Sequence, residues 1–127
     1  MSAARILIVD DNATNLKLVA YLVRAKGYEV DTALDAASAL AKIAAARPDL
    51  ILMDVQLPGV DGLELTRRLK SDPATRTITV IAVTAYAMKG DRDKAAEAGC
   101  DDYVTKPIDT RALPENIAKH LASRSPV

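Results

Sequence analysis

The sequence predicts an α/β fold, a mostly parallel sheet of five strands with helices on both faces. Short apolar runs alternate along the chain with segments of helical periodicity, the pattern of successive βαβ units. Three of the runs, RILIV (5–9), LILM (50–53) and TVIAV (79–83), are apolar without alternation, as strands covered on both faces are. The length of 127 residues suits one domain over 1–127, with a core of about 4–122 and a short tail at 123–127.

The elements follow in order. RILIV forms the first strand, and Leu16, Val19, Ala20 and Val23 mark one face of the helix after it, which Gly27 stops. The second strand, EVDTA (29–33), alternates polar and apolar residues and so suits a sheet edge. Ala36, Ala39, Leu40 and Ile43 mark the second helix, and Pro48 precedes the third strand, LILM. LPGVDG (57–62) loops out of that strand into a helix marked by Leu65 and Leu69. TVIAVT (79–84) is the fourth strand, and residues 89–98 are helical by their Ala, Lys and Glu content, with a weak apolar face. The short DYVT (102–105) suits the other edge, and Leu113, Ile117 and Leu121 mark the last helix before the tail ASRSPV.

Composition excludes several classes. Half of the residues are hydrophobic and 27% charged, which is normal for a folded domain and foreign to a disordered or collagen-like chain. With no Phe and no Trp, the core is aliphatic. Lys+Arg and Asp+Glu balance at 17 each and no basic stripe appears, which argues against a nucleic-acid binder working by phosphate neutralisation. A lone Cys100 makes neither an intramolecular disulfide nor a zinc site. The opening MSAAR leads into no long apolar run, and no stretch approaches a membrane span. The expectation is a cytoplasmic protein, associated with neither membrane nor nucleic acid.

In an open parallel sheet, ligands sit beyond the carboxyl ends of the strands, and the polar residues gather there. Asp10 and Asp11 close the first strand, Asp54 the third and Thr84 the fourth, while Lys106 follows the fifth. Each alone has an ordinary reading: a helix cap, a turn residue, a strand-end threonine, a solvated lysine. Five such placements on one edge of one sheet are less ordinary. If the first and third strands are neighbours, three carboxylates converge and need a cation among them. Oxygen ligands without a nearby histidine favour Mg²⁺. Asp54 stands alone after its apolar run, whereas the pair at 10 and 11 supplies charge to hold the metal. A carboxylate can act as nucleophile toward a phosphoryl group, a transfer that needs mainly positioning and charge neutralisation. Asp54 is therefore the phosphorylation candidate, with Mg²⁺, the Lys106 ammonium and the Thr84 hydroxyl each taking one phosphoryl oxygen.

The motifs VDDN, DLILMDVQLPGVDG, VIAVTAYA, AGCDDY and TKPID occur in this order. With them the chain, over about residues 4–122, resembles a receiver (response regulator) domain of bacterial two-component systems. Within that family DDNxxN and TAxAMKGD are similar to the DivK group of single-domain response regulators. The resemblance implies a flavodoxin-like (CheY-like), doubly wound sheet with strand order 2-1-3-4-5 and five helices. It makes Asp54 the phosphoacceptor, Asp11 a direct Mg²⁺ ligand, Asp10 a ligand mainly through water, and the Gln56 backbone carbonyl the remaining protein ligand. Lys106 becomes the phosphoryl-binding cation, Thr84 the switch hydroxyl and Tyr103 the aromatic that changes rotamer. Ala85 is small where the phosphoryl group needs space, and the bond from Lys106 to Pro107 is expected to be cis. Gln56 and Tyr86 occupy variable positions beside the site, with Tyr86 expected to cover the acyl phosphate and slow water attack.

The implied mechanism is a population shift in which the phosphoryl group draws in Thr84, the vacated space admits Tyr103, and the face of the fourth helix, fifth strand and fifth helix changes shape. The implied partners are a histidine kinase or histidine phosphotransfer protein as donor and a downstream protein target. The chain is expected to be a monomer or a weak phosphorylation-dependent dimer. The resemblance implies a switch that dephosphorylates itself rather than a turnover enzyme. Cys100 reads as a small buried thiol and His120 as a surface helix residue. Pro114 falls inside the last helix, about five positions after a cap at Asp109, where it removes a hydrogen bond and is expected to kink the first turn.

Three alternatives stand beside this reading. A Mg²⁺-dependent phosphohydrolase of the haloacid dehalogenase type also uses an Asp nucleophile after a strand, but needs a second acid where Gln56 stands. A nucleotide-binding protein lacks its glycine-rich loop here. A receiver cut from a larger hybrid kinase has the same sequence features.

Overall fold

The computed structural model describes residues 4–57, 61–84, 89–106 and 108–123. Strands β1 (Arg5–Val9), β2 (Glu29–Ala33), β3 (Leu50–Asp54), β4 (Thr79–Thr84) and β5 (Asp102–Thr105) alternate with helices α1 (Ala13–Arg24), α2 (Ala36–Ala45), α3 (Gly62–Ser71), α4 (Lys89–Ala98) and α5 (Ala112–Ser123). The sheet order is β2-β1-β3-β4-β5 and every pairing is parallel. The alternating EVDTA and the short DYVT are the two edges, as their patterns predict.

Because strand side chains alternate, each central strand feeds both faces. Ile6, Ile8, Leu50, Leu52, Ile81 and Val83 pack on one face against Leu16, Val19, Ala20 and Val23 of α1 and Leu113 and Ile117 of α5. Leu7, Val9, Ile51, Met53 and Val80 pack on the other against Ala36, Ala39 and Ile43 of α2 and Leu65 and Leu69 of α3. The weak apolar face of α4 consists of Ala95 and Ala98, which lie against Ala82 and Leu63. Burial of each fully covered Leu or Ile contributes about 1.5–3 kcal/mol, so the aliphatic core suffices without large rings.

Caps fix the helix starts near the site. Asn12, Asp35 and Asp61 accept the backbone N–H groups of Asn15, Ser38 and Glu64 and start α1, α2 and α3. After α1 the chain reverses at Gly27, whose φ of 92° favours glycine.

The structure departs from the sequence reading at several places. β3 runs one residue further and includes Asp54. Leu40 is 39% exposed; the buried stripe of α2 is Ala36, Ala39 and Ile43, and Leu40 borders a groove between α2 and α3 that Arg68 and Leu69 also line. His120 is no free surface residue: its Nε2 lies 2.7 Å from Asp102 Oδ2, tying α5 to β5. Asp109 caps as expected, its carboxylate accepting the N–H groups of Arg111 and Ala112. Pro114 is likewise where the sequence puts it, the third residue of α5 and inside the first turn, with no N–H to give Thr110. Cys100 is half-buried against the core, with its thiol pKa pushed up by burial.

Candidate functional site

Asp10, Asp11 and Asp54 meet at the carboxyl edge of the sheet because β1 and β3 are direct neighbours in register. One carboxylate oxygen from each lies within 4.8 Å of the others. Asp10 and Asp54 are 4% and 3% exposed, while Asp11 faces solvent. The Asp10 N–H still pairs with the Ala33 carbonyl at 3.1 Å, so this carboxylate is placed by the sheet. Its Oδ1 accepts the Asn12 N–H at 2.9 Å and its Oδ2 accepts the Asn15 side-chain amide. Asp54 ends β3, and its Oδ1 accepts the Gln56 N–H at 3.0 Å.

Lys106 arrives through the β4–β5 pairing, its N–H donating to the Thr84 carbonyl at 2.7 Å. Its Nζ lies 3.1 Å from Asp54 Oδ2 and 3.7 Å from Asp10 Oδ2. Burial raises the Asp54 pKa above its ordinary value and Asp10 adds to the rise, outweighing the Gln56 N–H and Lys106. Burial would lower the Lys106 pKa, but Asp54, Asp10 and Asp11 together raise it. Three carboxylates stand against one ammonium here, so with every group charged the cluster carries two negative charges in excess, which one divalent cation would balance. An all-oxygen donor set of this charge suits Mg²⁺.

Thr84, 2% exposed at the end of β4, lines a cavity of about 450 Å³ together with Val55, Gln56, Leu63, Asp91 and Tyr103. The threonine and tyrosine singled out from the sequence thus share one space. The Arg92 guanidinium of α4 stands 5.4 Å from the centroid of the Tyr103 ring.

The structure therefore brings Asp10, Asp11, Asp54, Lys106 and the Gln56 N–H to one spot, with Thr84 and Tyr103 on the adjoining cavity. Ala85, Tyr86 and Pro107 lie outside the described residues. Two residues were missed in the sequence. Asn15 stands at helical spacing after the Asn12 cap and reads as a cap neighbour, yet its amide holds Asp10. Gly62 reads as turn chemistry, yet a Cβ there would lie 2.1 Å from the Asp54 carbonyl oxygen, and its N–H donates to Val55 O at 2.8 Å. Only glycine lets α3 begin this close to the end of β3.

Residues 6–118 match the family model described as the response regulator receiver domain. The chain is 47% identical over 116 residues to the polar-differentiation response regulator DivK of Brucella anthropi, across 91% of this chain and 94% of that protein. A solved CheY-like receiver domain protein of Methanospirillum hungatei matches with a TM-score of 0.88 at 36% identity over 95% of each chain. The receiver domain of the sensor histidine kinase PA1611 of Pseudomonas aeruginosa, solved with a magnesium ion coordinated in its active site cleft, matches with a TM-score of 0.87 at 34% identity. That match covers 96% of this chain and 100% of the other.

Proposed function

Because the chain belongs to the response regulator receiver domain family, we propose that it is a single-domain signalling switch, phosphorylated on Asp54 by a histidine kinase or a histidine phosphotransfer protein. The observation that carries this is the setting of Asp54: a buried carboxylate with an ammonium at 3.1 Å and two further carboxylates within reach. An Asp54 oxygen attacks the phosphorus of the donor phosphohistidine, the P–N bond breaks, and the imidazole leaves with the bonding pair. Lys106 follows the incoming charge as a phosphoryl oxygen replaces the free carboxylate. Asp10, Asp11, Asp54 and the Gln56 carbonyl would hold Mg²⁺, which when bound supplies charge neutralisation for the phosphoryl oxygens.

The Thr84 hydroxyl then turns toward the phosphoryl group, and Tyr103 moves into the shared cavity, reshaping the face of α4, β5 and α5 for a downstream protein. Water attack on the acyl phosphate resets the switch. The single-domain, DivK-like reading rests on the match over 94% of that relative; a receiver from a hybrid kinase is the second reading, favoured by the similarity to the PA1611 receiver. No described helix is long and apolar enough to cross a membrane. Incubation with acetyl phosphate should add one phosphoryl group to the intact mass only when Mg²⁺ and Asp54 are both present. Equal labelling of Asp54→Asn would reject the proposal.

A further inference from the structure

The two asparagines of DDNATN enclose Asp10 in a closed ring of hydrogen bonds. The Asn12 N–H donates to Asp10 Oδ1 at 2.9 Å and the Asn15 amide donates to Asp10 Oδ2. The Asn15 N–H in turn donates to Asn12 Oδ1 at 3.0 Å, which is the cap of α1. Both oxygens of a carboxylate that is 4% exposed are thus held, and the first turn of α1 is locked to the end of β1. The Asp10 Oδ2 that takes the Asn15 amide also lies 3.7 Å from Lys106 Nζ, while Lys106 stands closer, at 3.1 Å, to Asp54.

We propose that Asn15 is a positioning residue for this site: its neutral amide fixes the Asp10 carboxylate in the orientation that serves a divalent cation and keeps Lys106 on Asp54. The inference rests on the metal-dependent reading of the site given above. Being uncharged, the amide satisfies an oxygen without cancelling the surplus negative charge that attracts the cation. Without it, Oδ2 is a buried acceptor in need of a donor, and the Lys106 ammonium stands 3.7 Å away. A shift of that ammonium toward Asp10 would neutralise the carboxylate and draw the cation away from the phosphoacceptor. Partners of this kind orient metal ligands, and their loss commonly weakens metal affinity by about 10- to 100-fold.

The test compares the full chain with Asn15→Leu, of similar branched shape but without the donor, and Asn15→Gln, which retains an amide. Mg²⁺ affinity is measured by titration calorimetry, and thermal melting is followed in EDTA. Asn15→Leu should weaken Mg²⁺ binding by about tenfold with a melting point near that of the parent, and Asn15→Gln should recover most of the affinity. If Asn15→Leu fails to fold, Asn15→Ala, also without the donor, takes its place with the same expectation. Unchanged affinity in the donor-free variant, or equal loss in the amide-bearing one, overturns the role of Asn15. Failure of the parent itself to bind Mg²⁺ overturns the site reading, and this inference with it.

Discussion

Lys106 Nζ reaches across the sheet edge to within 3.1 Å of Asp54 Oδ2, joining an ammonium at the mouth of the site to a carboxylate that is almost wholly buried. The contact is short, yet the Asp54 pKa is raised, because burial outweighs the cation and Asp10 adds repulsion. A raised carboxylate pKa means that the folded chain binds the proton more tightly than the unfolded one. Stability from this group is present below its unfolded pKa and is lost as pH rises through the folded value.

Asp54→Asn should therefore melt a few degrees above the parent at pH 7 in EDTA, roughly the response to a modest gain in stability in a domain of this size. The advantage should fade on acidification toward the ordinary carboxylate pKa, where Asp54 is protonated in the parent too. Melting curves from pH 3 to pH 8 measure this; a variant less stable than the parent at pH 7 would show that the Lys106 pairing outweighs burial.

Gly62→Ala should cost about 1–3 kcal/mol, the usual range for forcing atoms into a filled space, because the new Cβ meets the Asp54 carbonyl. Since the obstacle is the phosphoacceptor's own backbone, phosphorylation by acetyl phosphate should also slow. Denaturant unfolding and intact-mass time courses read the two effects. A variant that matches the parent in both would mean the α3 start yields at no cost.

Arg92 over the Tyr103 ring is a cation–π contact, worth about 0.5–1 kcal/mol at an exposed site. It joins α4 to the tyrosine on the cavity shared with Thr84. A double-mutant cycle with Arg92→Ala and Tyr103→Leu should return a coupling of that size in the unphosphorylated chain. No coupling would remove Arg92 as a restraint on Tyr103.

Asp102 and His120 join β5 to α5 at 2.7 Å, with 38% and 18% of their side chains exposed. Burial opposes it, but the His120 ring, the Tyr103 N–H and the charge of Lys119 hold the Asp102 pKa below its ordinary value. A lowered carboxylate pKa contributes stability above the unfolded value that is lost as pH falls through the folded one. The coupling in a cycle of Asp102→Asn and His120→Ala, about 0.5–1 kcal/mol after solvent screening, should fade as acid carries the chain down through the lowered Asp102 pKa. An unchanged coupling at acid pH would assign it to packing.

The polar edge was legible in the sequence because a parallel sheet sends every strand's carboxyl end the same way. Asp10, Asp11, Asp54, Thr84 and Lys106 could thus be placed together before any distance was known. The limits of β1, β2, β4 and β5 were legible from their residue patterns, whereas β3 runs on through Asp54, which still pairs with Val83 in the ladder although its side chain is charged. Contacts that depend on the rotation of a helix about its own axis were not. Leu40 lies one residue beyond the buried Ala39 and faces outward, and nothing around Asp102 or His120 marks them as partners. The tasks of Asn15 and Gly62 were hidden because an amide near a cap and a glycine near a turn already have ordinary local explanations.

The most direct test of Asp54 as phosphoacceptor is borohydride reduction of the chain after treatment with acetyl phosphate and Mg²⁺, followed by peptide mass analysis. Reduction of an aspartyl phosphate leaves homoserine, so the residue that carried the group is read from the fragment masses. Homoserine at position 54 alone is the predicted result. Homoserine at position 10 or 11, or none in a chain shown to bind Mg²⁺, would contradict it.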